Sequence, residues 1–131
     1  MIIILKDLPK ISLNKWYAGM HWTKRKQIKD NYTQIVQSQC SELLPKNKTY
    51  QVEYHFTFKS RPLDASNCVA MVKMVEDIIF ENDSYKVVTE LIITSSKGSE
   101  DKVEIKIKNN VQDWLSIEDK NGGGNGDNEV N

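Results

Sequence analysis

Between Tyr50 and Lys59 the chain alternates without a break, with Tyr50, Val52, Tyr54, Phe56 and Phe58 on one parity and Gln51, Glu53, His55, Thr57 and Lys59 on the other. Successive side chains of a strand point to opposite faces, so this run predicts a β-strand with one buried face and His55 on the polar one. Three further runs read as strands: Ile2 to Leu5, Val87 to Thr94, and Val103, Ile105 and Ile107 alternating with Glu104, Lys106 and Lys108. Ser95 to Asp101 is polar and predicts a hairpin loop between the last two. Leu8 to Asn14 reads as a connection punctuated by Pro9 and Asn14. Thr23 to Leu44 reads as a long helix, capped by Thr23 and ended by Pro45 and Asn47, with Ile28, Tyr32, Ile35, Val36, Gln39 and Leu43 on one side.

A second helix is predicted to start near Ser66, because Pro62 is a poor helix-interior residue and Asp64, Ser66 and Asn67 can all accept from free helix N–H groups. At 100° per residue Cys68, Met71, Val75, Ile78 and Ile79 share one side, with Lys73 and Asp77 nearly opposite. The order β-α-β-α-β-β predicts an α+β domain with a mixed β-sheet and two main helices. A chain of 131 residues is one domain's length; residues 1–117 are read as that domain. Val111 to Ile117 would be a terminal helix docking through Trp114 and Leu115, and 118–131 a disordered polar tail. No apolar run approaches the length of a membrane span, which predicts a soluble cytoplasmic protein with no membrane partner. Cys40 and Cys68 lack zinc spacing and are expected to be reduced and buried.

The net charge is zero, but residues 1–61 hold 11 basic against 4 acidic side chains and residues 62–131 hold 7 against 14. That asymmetry predicts a basic surface beside an acidic one. Trp16, Tyr17, His21 and Trp22 are interleaved with Lys15, Lys24, Arg25, Lys26 and Lys29. Such a mixture can stack on unpaired bases and follow a phosphate backbone. The plainer expectation is that Trp16 and Trp22 pack in the core and the basic residues form a solvated face. Lys59 and Arg61 extend the basic series to the end of the alternating strand, and His21 and His55 read as surface residues.

Asp64 precedes the second helix, Lys73 and Asp77 lie on it, and Asp83 follows it. Gathered carboxylates repel one another unless a divalent cation or a shifted pKa relieves them. Oxygen ligands suit magnesium, which keeps several waters and takes one or two carboxylates with substrate phosphate. Such an ion activates water for attack on a phosphodiester, and an ammonium such as Lys73 can stabilise the developing charge. Taken singly, each residue has a structural reading as well: Asp64 as a turn or cap residue, Asn67 as a first-turn residue, Lys73 and Asp77 as a surface pair, and Asp83 as part of a turn with Asn82 and Ser84.

As a set, Asp64-x-x-Asn67, Lys73 four residues before Asp77, and Asn82-Asp83 followed by Val87 and an apolar strand resemble the RusA family of Holliday-junction resolvases, in particular its phage-type members. Pro9 to Asn14, followed by Trp16-Tyr17 and a basic helix, resembles that family's opening Pro-x-x-Asn-x-x-Tyr segment. The resemblance runs over about residues 2 to 108 and implies a RusA-like fold and a homodimeric endonuclease of DNA recombination and repair. It implies magnesium as cofactor, with manganese as a substitute, and paired nicks across a four-way DNA junction. Asp64 and Asp83 match its metal-binding aspartates, Asn67 its motif asparagine and Lys73 its catalytic lysine. Ser66 stands where the better-known pattern has a second acid, and the interval from Asn67 to Lys73 is three residues longer. Asp77 is the residue on hand to supply the missing metal-binding carboxylate. Two readings outside catalysis remain beside this one: a junction-binding dimer without turnover, and a small interaction module with structural acids.

Overall fold

The alternating run lies inside the sheet, not at its edge. In the computed structural model, which describes residues 1–41, 43–45, 47–81 and 85–109, the chain runs β1 (Ile2–Lys6), α1 (Leu13–Tyr17), α2 (Trp22–Gln39), β2 (Tyr50–Phe58), a 3-10 turn (Ala65–Cys68), α3 (Val69–Ile79), β3 (Val88–Lys97) and β4 (Lys102–Asn109). The strands form one mixed sheet in the order β1-β4-β2-β3. β4 is antiparallel to both β1 and β2, while β3 runs parallel to β2. The α+β class and the mixed sheet are therefore as expected, with α1 and the 3-10 turn added.

One face of the sheet carries Ile3, Leu5, Val52, Tyr54, Phe56, Phe58, Val103, Ile105 and Ile107, all buried. Against it lie Tyr32 and Val36 of α2 and Met71, Val72, Val75 and Ile79 of α3, in one core. Each such side chain contributes about 1.5–3 kcal/mol relative to leaving it in water, so the strand's parity alone decides which face the helices cover. α3 is buried more widely than a single stripe, since Ala70, Met74 and Glu76 are buried too, and Lys73 and Asp77 are its exposed residues. The opposite sheet face is open among the described residues. There His55 bonds to Glu53 (2.8 Å) and Thr94 (2.6 Å).

The polar stretch expected to make a hairpin instead bridges the sheet. Strands β3 and β4 do not pair; β2 lies between them. Ser95, Ser96 and Lys97 extend β3 because they find partners in Phe56, Thr57 and Phe58. Residues 98–101 then cross the end of β2, held there by Gly98 N–H donating to Phe58 O (2.9 Å), Lys59 N–H donating to Asp101 Oδ1 (2.9 Å) and Asp7 N–H donating to Asp101 O (3.1 Å). Asp7 leaves β1 with φ of 63°, a left-handed conformation that short polar side chains tolerate.

Helix boundaries moved for equally local reasons. α2 ends at Gln39 and not Leu44, because Leu44 is drawn into a bridge with Phe80: its N–H donates to Ile79 O (2.8 Å) and its carbonyl accepts from Glu81 N–H (2.9 Å). The N-cap of α2 is His21, whose ring accepts from Thr23 N–H (3.2 Å), so Thr23 is not the cap. Within the expected connection, Ser12 Oγ accepts from Lys15 N–H (3.0 Å) and starts α1. Trp16 is half-buried against the core, but Trp22, on the first turn of α2 and away from its buried side, is 68% exposed. Cys68 is buried as expected, Cys40 only half-buried, and both are free thiols. The expected terminal helix at 111–117 and tail at 118–131 lie outside the described residues. Among the described residues no helix is long and apolar enough to cross a membrane.

Candidate functional site

Between β2 and α3 the chain must turn over the edge of the core, and Asp64 sits at that turn. Its backbone is extended (φ −59°, ψ 149°), and its carbonyl accepts from Asn67 N–H (2.8 Å) to close the 3-10 turn. Its carboxylate makes no capping bond to that turn and stands exposed. The capping role that the sequence allowed for Asp64 is therefore not the one it fills. Beneath it Cys68 is fully buried. Burial pushes the Cys68 thiol up to about 11; a hydrogen bond with Ser95 works the other way, and the nearby negative charge of Asp64 raises it further. Ser95 Oγ also donates to Leu63 O. Asp64, Cys68 and Ser95 are thus close neighbours where the 3-10 turn meets β3.

Helix α1 packs against both the 3-10 turn and α3. This brings the segment holding Asn14, Lys15 and Tyr17, all exposed, alongside the segment holding Asp64 and Asn67. A basic rim borders the same turn. Lys10 Nζ donates to Ser60 Oγ (3.0 Å) and to Arg61 O, and Lys97 Nζ donates to Lys59 O (3.2 Å). Lys10, Lys59, Arg61 and Lys97 are all exposed. Lys10 and Lys97 escaped the sequence reading because their contacts span 51 and 38 residues, and only the crossing of the sheet end brings them in.

The basic residues of α2 divide. Lys24, Lys26 and Lys29 are exposed, with Lys26 Nζ bonded to Asp30 Oδ2 (2.8 Å). Arg25 is turned inward: Nη2 donates to Trp16 O (2.7 Å) and the guanidinium lies 5.3 Å from the centre of the Trp16 ring. That stacked, hydrogen-bonded geometry ties α2 to α1. Trp22 stacks on His21 with 5.8 Å between centroids.

Lys73 and Asp77 project from the exposed side of α3. At a rise of 1.5 Å per residue they stand about 6 and about 12 Å along the axis from Val69. Helical side chains lean back towards the N-terminus, which is the end of α3 that follows the Asp64 turn. Asp77 is one turn further along the helix. Asp83 lies outside the described residues. Glu81 and Val87 sit at the Tyr50 end of β2, through Glu81 N–H to Leu44 O and Tyr50 N–H to Val87 O (2.7 Å); Asp64 lies beyond the Phe58 end. Among the described residues no three His, Cys, Asp or Glu side chains gather as a metal-binding group. No protein-family model matches the sequence, and no curated protein matches it.

Proposed function

We propose that this chain is a magnesium-dependent, structure-selective endodeoxyribonuclease of the RusA-like kind, a homodimer that nicks four-way DNA junctions in symmetric pairs. The observation that carries the reading is the packing of α1 against the 3-10 turn. It brings the Pro9-to-Tyr17 segment and the Asp64-to-Asn67 segment, far apart in sequence, to one surface with a basic rim. Magnesium, held by Asp64 with waters and a phosphate oxygen, would supply an activated water and neutralise charge on the phosphate; the resemblance makes Asp83 a second metal-binding aspartate. Asp64 fits that role in being exposed and free of a capping bond. Lys73, on the exposed side of α3, stabilises charge on the leaving oxygen. Lys10, Lys59, Arg61 and Lys97 hold the phosphates on either side, and Lys15, Lys24, Lys26, Lys29 and Asn67 extend the contact, with Tyr17 and Trp22 available to stack on unpaired bases.

A second reading rests on Ser66, which stands where the family's pattern has a second acid: a dimer that binds junctions and does not cut them. One assay separates the two. A labelled four-way junction and a linear duplex of the same sequence are incubated with the protein in magnesium and in EDTA. Paired nicks on the junction alone, dependent on magnesium and lost in Asp64→Asn and Asp83→Asn while junction binding persists, are the expected result. Tight binding without nicks establishes the second reading, and cutting retained in both variants overturns the metal assignment.

A further inference from the structure

The two edges of the sheet are finished differently. At β1 the side chain of Gln39 acts as a stand-in strand: its Oε1 accepts from Lys6 N–H (2.7 Å) and its Nε2 donates to Lys6 O (2.8 Å). β3 pairs only with β2, so among the described residues no strand lies along its outer edge; the 3-10 turn and Leu63 meet it only towards its Ser95 end. Natural sheets blunt a free edge with proline, charge, a bulge or a cover, because its unpaired N–H and C=O groups otherwise template another strand. The β3 irregularity lies at its start, beside Tyr50 and Gln51, and the stretch Glu90 to Thr94 beyond it is regular. This stretch holds Leu91-Ile92-Ile93, with Leu91 43% and Ile92 50% exposed.

We infer that β3 is the interface with a second copy of this chain, pairing antiparallel with its own twin about a two-fold axis through Ile92 to make a continuous eight-stranded sheet. A two-fold axis perpendicular to the sheet preserves its faces, so residues opposite one another must share parity. Centred on Ile92, the register sets Ile92 against Ile92, Leu91 against Ile93 and Glu90 against Thr94. Every apolar residue of the stretch then meets an apolar partner and no like charges are opposed. Moving the centre to Ile93 sets Leu91 against Ser95 and Ile92 against Thr94, so the sequence itself chooses the first register.

The consequence for paired nicking rests on the nuclease reading, whereas the interface does not. Ser95, beside Asp64, is three residues from Ile92, about 10 Å along the strand. The twin sites would lie on the helix-covered face of the joined sheet, on the order of 20 Å apart along the strands and related by the axis.

The test reads assembly and not cutting, so the two readings fail separately. In sedimentation equilibrium the protein should have twice the chain's mass, and Ile92→Lys should have the mass of one chain with an unchanged circular dichroism spectrum. Register is read by oxidative cross-linking with copper phenanthroline in a Cys40→Ser background. Ile92→Cys should link fully into dimers, since facing Cα atoms of an antiparallel pair lie within disulfide reach. Glu90→Cys, about 13 Å from its twin in this register, should not. A wild-type monomer at micromolar concentration, a dimer indifferent to Ile92→Lys, or cross-linking at residue 90 in place of 92 overturns the inference.

Discussion

A Cβ at residue 98 would overlap the Thr57 side-chain methyl, because the loop from β3 to β4 passes directly over the last residues of β2. Gly98→Ala should therefore lower stability by about 1–3 kcal/mol, the usual result of forcing volume into a packed contact. Removing the obstructing methyl should relieve it: in Thr57→Ser the same Gly98→Ala change should lose much less. Urea midpoints of the four chains in this cycle measure the coupling. Equal losses in both backgrounds would mean that the glycine serves another purpose. The same scale separates residues that the sequence treats alike. Arg25 and Lys24 are neighbours in one basic run, yet the guanidinium of Arg25 is committed to Trp16 while Lys24 is exposed. Only the position of the ring, set by a helix that begins at Ser12, tells them apart.

On the open face of the sheet the rows of β4, β2 and β3 put Lys106 opposite Glu53 and His55 opposite Thr94. The hydrogen bond from His55 holds the Glu53 carboxyl below the usual carboxylate range, with the charges of His55, Lys106 and Lys108 helping and some desolvation opposing. A carboxyl depressed in the folded state adds stability above its unfolded value of about 4.3, and that contribution is lost as pH falls through the lower folded value. Glu53→Gln should therefore destabilise the protein at neutral pH, and the difference should vanish in acid. Urea unfolding across pH checks this; a difference that persists in acid would mean that the substitution acts through packing. Element by element, the faces were legible in the sequence and the neighbours were not. Alternation in Tyr50 to Phe58 and Val103 to Ile107 fixes which side is buried, because period two is a property of the strand alone. That β2 separates β3 from β4 depends on pairing across the sheet, to which the polar loop gives no clue. The stretch Asp64 to Asn67 was legible because its contacts are local. The neighbours Lys10 and Lys97 were not, and α2 stops early because Leu44 is claimed by Phe80.

Over the whole molecule the charges cancel, so long-range attraction to DNA is weak and the distribution of charge decides where a phosphate backbone can lie. Two basic surfaces compete for that role, the rim of Lys10, Lys59, Arg61 and Lys97 around the Asp64 turn and the exposed lysines of α2. Each phosphate contact releases condensed counterions, so the logarithm of the binding constant falls with the logarithm of salt in proportion to the contacts made. Replacing a contacting lysine by alanine should weaken binding and reduce the salt slope by about one. Anisotropy titrations of a labelled junction in EDTA, repeated at several salt concentrations, should show that reduction for Lys10→Ala, Lys59→Ala and Lys97→Ala. Arg25→Ala should leave the slope nearly unchanged and lower stability instead, since its guanidinium faces Trp16. Lys26, already bonded to Asp30, should contribute less than a full unit. Were the slope to respond to Lys24 and Lys29 but not to the rim, the backbone would run along α2, away from Asp64. A carboxylate that the phosphates do not pass cannot hold the ion that cuts them, and the nuclease reading would then give way to junction binding alone.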